Sequence, residues 1–200
     1  MERTAAHPIE TSILERWSPR AMDATPIALA ELQRLLEAAR WAPSSGNGQP
    51  WRYAYALRGT PHFDAYFAAL VEANQAWCGR AGALLVAGTQ TMRAPGKPRA
   101  TAAFDLGASW MALALQGHAM GLVVHGMEGF DKDKARAACG APAGVELYAM
   151  IAVGHPGKLK DLPEKYRARE VKSDRNAQEM WSFEGRFPEA IPADAPPPAK

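Results

Sequence analysis

Cysteine is scarce in this chain. Only Cys78 and Cys139 occur among 200 residues, far apart and outside any Cys-x-x-Cys pair or wider framework. Reduced thiols and a cytoplasmic setting are therefore expected. An excess of one charge sign is also missing. The formal net charge of +2, with a pI near 8.6, is small and dispersed, which argues against a surface dedicated to nucleic acid. The five histidines, His7, His62, His118, His125 and His155, show no zinc-like pairing with each other or with the cysteines, so no metal site is expected.

One long uncharged run needs interpretation. No Asp, Glu, Lys or Arg occurs from Leu106 to Met127, a length that raises the question of a membrane span. Ser109, Gln116, His118 and His125 interrupt it, and Gly121 divides a helical half from a β-branched half. It reads as a buried helix running into a buried strand, with no membrane partner. The start, Met1 to Pro8, lacks the apolar core of a secretory signal, so the chain is read as beginning in its mature form.

Familiar catalytic constellations are absent too. Gly46-Asn47-Gly48 opens like a dinucleotide fingerprint, but Trp51 stands where the third glycine belongs and Pro50 blocks a helix there. Gly107 to Met111 approaches a hydrolase nucleophile elbow without its closing glycine, and inside a helical pattern. What remains is chemistry carried by a cofactor, for which the protein supplies binding, orientation and electrostatics.

The content of the chain is that of an ordinary globular protein, 48% hydrophobic and 22% charged. Leu32, Leu35, Leu36 and Ala39 recur at helical spacing from Leu29 to Arg40, and Pro43 stops that helix. Trp51 to Leu57 alternates aromatics and reads as a strand. A second helix is expected from Pro61 to Trp77, a buried strand from Ala83 to Gly88, and a surface loop from Met92 to Lys97. Helix resumes from about Thr101 to Met120, followed by a strand at Gly121 to Met127, a helix at Lys132 to Ala138 ended by Gly140, and a strand at Val145 to Val153. This mixture predicts an α+β fold with a mostly antiparallel sheet and helices against its faces. No repeat or linker divides it, so residues 1–187 read as one domain. Lys158 to Arg175 alternates charge like a solvated segment, and Pro188 to Lys200, with five prolines, is expected to be disordered.

Two polar segments carry the functional signal. Ala42-Pro43-Ser44-Ser45-Gly46-Asn47-Gly48-Gln49-Pro50-Trp51 cannot be regular, because prolines forbid helix and glycines admit positive φ. It is either a rigid loop built to hold something or a plain helix-to-strand turn. Arg16-Trp17-Ser18-Pro19-Arg20 places two guanidinium groups around a hydroxyl. Planar Arg forks suit phosphate oxygens, although two surface arginines would look the same.

Together these segments resemble the FMN-dependent nitroreductase family, whose signature reads Pro-Ser-Ser-x-Asn-x-Gln-Pro-Trp and whose opening reads Arg-x-Ser-x-Arg. The resemblance implies FMN, with Arg16, Trp17, Ser18 and Arg20 at its phosphate and ribityl chain, and Pro43, Ser44, Ser45 and Asn47 reaching it from the partner of an intertwined homodimer. It implies Asn74 on the pyrimidine edge of the ring, with Trp77 where some relatives carry a lysine. Met127, Glu128 and Gly129 match the turn whose backbone faces flavin N5, and Arg175 carries over as a phosphate ligand, with Lys172 and Ser173 as weaker candidates. The activity implied is transfer of a hydride from NAD(P)H through flavin N5 to a nitroaromatic, quinone or related small acceptor, with no catalytic side chain. Related families reduce enals or enones, remove halogens or fragment flavin, and a flavin-binding or storage module without turnover is a further reading.

Overall fold

The computed structural model describes residues 3–191, so the expected disorder beyond Ile191 lies outside the described residues. In chain order the elements are α1 (Thr11–Glu15), α2 (Leu29–Arg40), β1 (Trp51–Leu57), α3 (Pro61–Ala69), α4 (Glu72–Cys78), β2 (Ala83–Gln90), β3 (Met92–Ala94), β4 (Lys97–Pro98), α5 (Ala102–Ala119), β5 (Val123–Met127), α6 (Lys132–Cys139), β6 (Val145–Gly154) and α7 (Glu164–Arg167). A single turn of 3-10 helix spans Ser45–Asn47. Among the described residues no helix is long and apolar enough to cross a membrane.

Strands β1-β2-β6-β5 form one sheet, antiparallel at every pairing. Its two faces carry separate cores, as strand periodicity requires. Leu84 and Val86 of β2 join Phe63, Tyr66, Trp77 and Met150 on one side, under α3, α4 and α6. Leu85 and Ala87 join Leu32, Leu35, Leu113 and Ile151 on the other, under α2 and α5. This is the α+β arrangement the sequence predicts.

A bulge decides the course of β6. Ala87 pairs with Ala149 but Gly88 pairs with Leu147, so Tyr148 is left without a partner in the ladder. The extra residue flips the alternation, which lets Leu147 share a core with Met150 while Tyr148 stands 44% exposed at the sheet surface.

Some boundaries correct the sequence reading. The helix expected from Pro61 to Trp77 is two helices, because Leu70 and Val71 are extended. The turn after β5 pulls them out: Leu70 bridges Phe130, Val71 N–H donates to Gly129 at 3.2 Å, and Asp131 N–H donates to Ala69 at 2.8 Å. Met92 to Lys97, expected as a loop, holds the β3–β4 hairpin, reversed at Gly96 with φ of 70°. The strand expected from Gly121 starts at Val123, since Gly121 at φ 71° is the left-handed turn out of α5. Lys158 to Arg175 is not simply solvated. Leu162 and Tyr166 are buried, and the Tyr166 hydroxyl donates to Ala73 at 2.6 Å.

Candidate functional site

A cavity of ≈ 470 Å³ opens between α5 and the β5–β6 half of the sheet, within the size range of small-ligand sites. Arg16 and Ser18 stand on one rim, Met127 and Glu128 on another, and Trp110 and Tyr148 contribute aromatic wall. The β6 bulge is what presents Tyr148 there. Gly126 lets α5 approach closely, since a Cβ at that position would lie 3.1 Å from the Trp110 ring.

The Arg16–Arg20 segment has no regular structure of its own and is held by side chains from distant elements. The His125 ring Nδ1, on β5, lies 2.9 Å from the Pro19 carbonyl. Burial pushes the imidazole down to about 4, a shift opposed by the Pro19 carbonyl; neutral at pH 7, it therefore donates through Nδ1–H. One oxygen of Glu170 accepts the Arg20 and Ala21 N–H groups at 2.7 and 2.8 Å. The segment is thus fixed by main-chain contacts, which leaves its guanidinium groups available.

Those guanidinium groups are unusually short of partners. Arg16 donates to Ser18 Oγ at 3.3 Å, and its Nε is buried with no partner among the described residues. Burial, then the positive charges of Arg175 and Arg3, weaken its hold on its proton. Arg3 anchors the cluster by donating to the Leu14, Arg16 and Ser173 carbonyls at 2.8 Å, and Arg175 donates to Ser173 at 3.3 Å. Three like charges gather around that buried nitrogen, and the nearby carboxylates of Glu15 and Asp174 act on Arg3 rather than on Arg16, so the Arg16 guanidinium suits an anion. Lys172 is engaged elsewhere, in an ion pair with Glu15.

Behind the turn after β5, Asn74 donates to the Gly129 carbonyl at 2.9 Å and accepts from Trp77 Nε1 at 3.3 Å. Gly129 is required there, because a Cβ would come within 2.8 Å of Val71 and 2.9 Å of the Asn74 amide. Trp77 is buried, meets the His125 ring at 4.6 Å with a tilt of 47° and lies 5.9 Å beneath the Arg20 guanidinium. Asn74 and Trp77 thus brace the Met127–Gly129 turn and the Arg20 side chain from behind.

The Ala42–Trp51 loop is built differently. Gly46, Asn47 and Gln49 all have positive φ, at 56°, 51° and 44°. Ser44 Oγ accepts from Gln49 N–H at 3.0 Å, and the Gln49 amide donates to the Asn47 carbonyl and Oδ1 at 3.1 and 3.0 Å. Its anchor is Asp105, a buried carboxylate that accepts from Ser45 N–H at 3.3 Å and the Thr101 hydroxyl at 3.1 Å. One turn later Ser109 donates to the Ala39 carbonyl at 3.1 Å and meets the Tyr53 hydroxyl at 3.1 Å.

The fold therefore brings Arg16, Ser18, Met127 and Glu128 to one cavity. Arg20, Asn74 and Gly129 stand beside or behind it, Trp17 does not line it although it falls between Arg16 and Ser18, and Arg175 lines a neighbouring cavity with Arg3. Pro43, Ser44, Ser45 and Asn47 do not line it. Sequence reasoning missed Arg3, Tyr148, Glu170 and Asp105. Asp105 and Ser109 did carry a signal, as polar residues four apart on an otherwise apolar helical stripe. A bulge that turns Tyr148 outward leaves no such mark.

Comparison with known proteins agrees with this architecture. A crystal structure described as an oxidoreductase containing FMN superposes with a TM-score of 0.89 at 38% identity, over 93% of this chain and 96% of that one. An FMN- and NADPH-dependent nitroreductase from Sphigopyxis sp. strain HMH, solved as a point mutant, superposes at 0.67 with 19% identity over 88% and 98%, a likeness of fold. A curated relative, the uncharacterized 15.4 kDa protein in the ask 5′ region of Mycolicibacterium smegmatis, is 37% identical over 87 residues, which are 43% of this chain and 58% of that protein. The sequence profile of the Nitroreductase family matches residues 13–155, most of the length of the chain. The chain belongs to the nitroreductase family.

Proposed function

We propose that this protein binds FMN and acts as an NAD(P)H-dependent oxidoreductase that reduces a nitroaromatic, quinone or related small acceptor, as a homodimer with two shared sites. One observation carries the reading: Arg16 and Ser18, near the start of the chain, wall the same cavity as Met127 and Glu128, and the Arg16 Nε is buried without a partner among the described residues. Family membership and the FMN of the structure 38% identical support the same cofactor. When bound, FMN would supply two-electron transfer through its N5 between nicotinamide and acceptor.

The chain's own residues then have distinct tasks. Arg16 with Ser18 would hold the phosphate and ribityl oxygens, reinforced by the charges of Arg3 and Arg175, while Trp17 and Arg20 complete that side. Glu170 and His125 keep the segment in register by binding its main chain. Asn74 fixes the Gly129 carbonyl, so that the Met127–Gly129 backbone would face the ring edge. Leu106 and Trp110 would exclude water from its surface. Pro43, Ser44, Ser45 and Asn47 would come from the second subunit. Their absence from the cavity wall in a single chain supports that assignment, as do Trp41 at the end of α2 and Phe104 on α5, left 74% and 81% exposed.

The test is the purified protein. Chromophore released on denaturation should be FMN, and acceptor should accelerate NAD(P)H oxidation. FAD, or no flavin after incubation with excess FMN, would overturn the cofactor; tight FMN without acceptor-dependent oxidation would leave a binding module. For the shared site, a verified heterodimer of Arg20→Ala and Asn47→Ala chains should regain about half the wild-type FMN sites, because one site then contains neither substitution. No recovery would place each site within one subunit.

A further inference from the structure

We propose that the β3–β4 hairpin and the Ala42–Trp51 loop form a second site, for a phosphate monoester, and that the group it takes is the 2′-phosphate of NADPH. The assignment of that phosphate to the co-substrate rests on the oxidoreductase reading above. The site is a cavity of ≈ 280 Å³, distinct from the flavin cavity, walled by Ser45, Arg93, Lys97, Arg99 and Thr101.

The hairpin explains why three cations converge. Pairing of Ala94 with Lys97 across the turn at Gly96 brings Arg93 and Lys97 to one end of the ribbon. Arg99 follows β4 and is fixed at both main-chain groups, donating to the Thr91 carbonyl at 2.8 Å and accepting from Ala102 N–H at 3.2 Å. Its guanidinium lies against Gly48 so closely that a Cβ there would collide with it, which ties the hairpin to the Ala42–Trp51 loop.

These charges have no counter-ion among the described residues: Arg93, Lys97 and Arg99 enter no ion pair there, and the Arg99 Nε is buried without a hydrogen-bond partner. Asp105, whose carboxylate meets two of the lining residues, already accepts from Ser45 N–H and the Thr101 hydroxyl. A phosphate monoester carries close to two charges at neutral pH and three strong acceptor oxygens, and Arg forks bind it bidentately. Of the two nicotinamide nucleotides, NADPH alone carries such a group. Because Ser45 belongs both to this cavity and to the loop proposed to reach flavin across the dimer, a nucleotide at the flavin would have its adenosine end within the hairpin's surroundings.

The experiment uses the FMN-loaded dimer and its Arg93→Ala, Lys97→Ala and double variants, with KM measured for NADPH and NADH in parallel and inorganic phosphate as competing probe. Each single substitution should raise the NADPH KM about tenfold, the loss of one charge-assisted contact, with the double variant weaker still. The NADH KM should stay within about twofold, and phosphate should compete with NADPH but not with NADH. Equal shifts for both nucleotides, or an unchanged NADPH KM, would overturn the proposal. Weakened FMN retention with an unchanged NADPH-to-NADH ratio would also overturn it, by placing the flavin phosphate in this pocket instead. Preparations that hold no FMN and oxidise neither nucleotide would refute the oxidoreductase reading itself, and this inference with it.

Discussion

The Arg16–Arg20 segment and the Ala42–Trp51 loop are both short, polar and broken by proline, yet they commit their hydrogen-bonding groups in opposite directions. In the segment, distant side chains hold the main chain: His125 takes the Pro19 carbonyl, and Glu170 takes the Arg20 and Ala21 N–H groups. The side chains are left over, and Arg16 Nε is buried with no partner among the described residues. In the loop, side chains hold the loop itself, through Ser44 to Gln49 and Gln49 to Asn47, with three residues at positive φ. One region is a fixed rail carrying free donors; the other is a stiff shape whose donors are largely committed. A ligand would satisfy the first, whereas the second is built to be pressed against something.

The largest test of this contrast is acid. The folded-state value of His125 lies at about 4, depressed by burial from its ordinary 6.5, so between those values the folded chain binds fewer protons than the unfolded chain. Its contribution is present above pH 6.5 and lost as pH falls towards 4, on the order of 3 kcal/mol in full. Relative to His125→Gln, which has no imidazole to charge, wild type should lose that stability as pH falls from 6.5 towards 4, so the gap between their urea midpoints should shift against wild type by the equivalent of about 3 kcal/mol. Parallel profiles would mean that this imidazole is not desolvated beneath the segment.

Next in size is Arg16→Ala. It should weaken FMN binding by about 2 kcal/mol, roughly thirtyfold, as expected for a lost charge-assisted contact. The flavin-free protein should change by less than about 0.5 kcal/mol, because the side chain has one long hydrogen bond to lose and repulsion from Arg175 and Arg3 to shed. Titration of apoprotein and urea unfolding read the two quantities separately. A large loss of stability with unchanged FMN affinity would turn Arg16 into a structural residue.

The same contrast explains what was legible beforehand. Helices α2 and α5, strand β1 and the antiparallel sheet follow from periodicity, because each buries one face and the pattern of burial is written locally. The break at Leu70–Val71 is not, since neither proline nor glycine marks it and its cause is hydrogen bonding to Gly129 and Asp131, far along the chain. The site divides likewise. Arg16, Ser18, Met127 and Glu128 were legible as motifs, whereas Glu170 lay hidden in a segment of alternating charge, and only the fold shows that it holds Arg20.

Asp105→Asn should have a smaller effect, about 1 kcal/mol of stability. One side-chain oxygen can still accept, but the amide end faces a donor that loses its acceptor. The loss should fall on the loop, so hydrogen exchange at Ser45 and Asn47 should accelerate while exchange at Arg20 and Ala21 stays as in wild type. Acceleration at both places would show that the two regions open as one unit.

The smallest effect expected is that of Gln49→Gly, and its sign is what matters. Gln49 sits at φ 44°, where a side chain costs about 1 kcal/mol and glycine almost nothing. Its amide makes two exposed hydrogen bonds to Asn47, together worth about 0.5 kcal/mol at such an exposed site. The substitution should therefore stabilise the chain by a few tenths of a kcal/mol. FMN affinity should nevertheless fall, because the Asn47 side chain loses the partner that orients it. Stability and affinity moving in opposite directions would mark the strain as a device for presenting Asn47. A fall in both would show that the amide hydrogen bonds, and not the backbone conformation, dominate the loop.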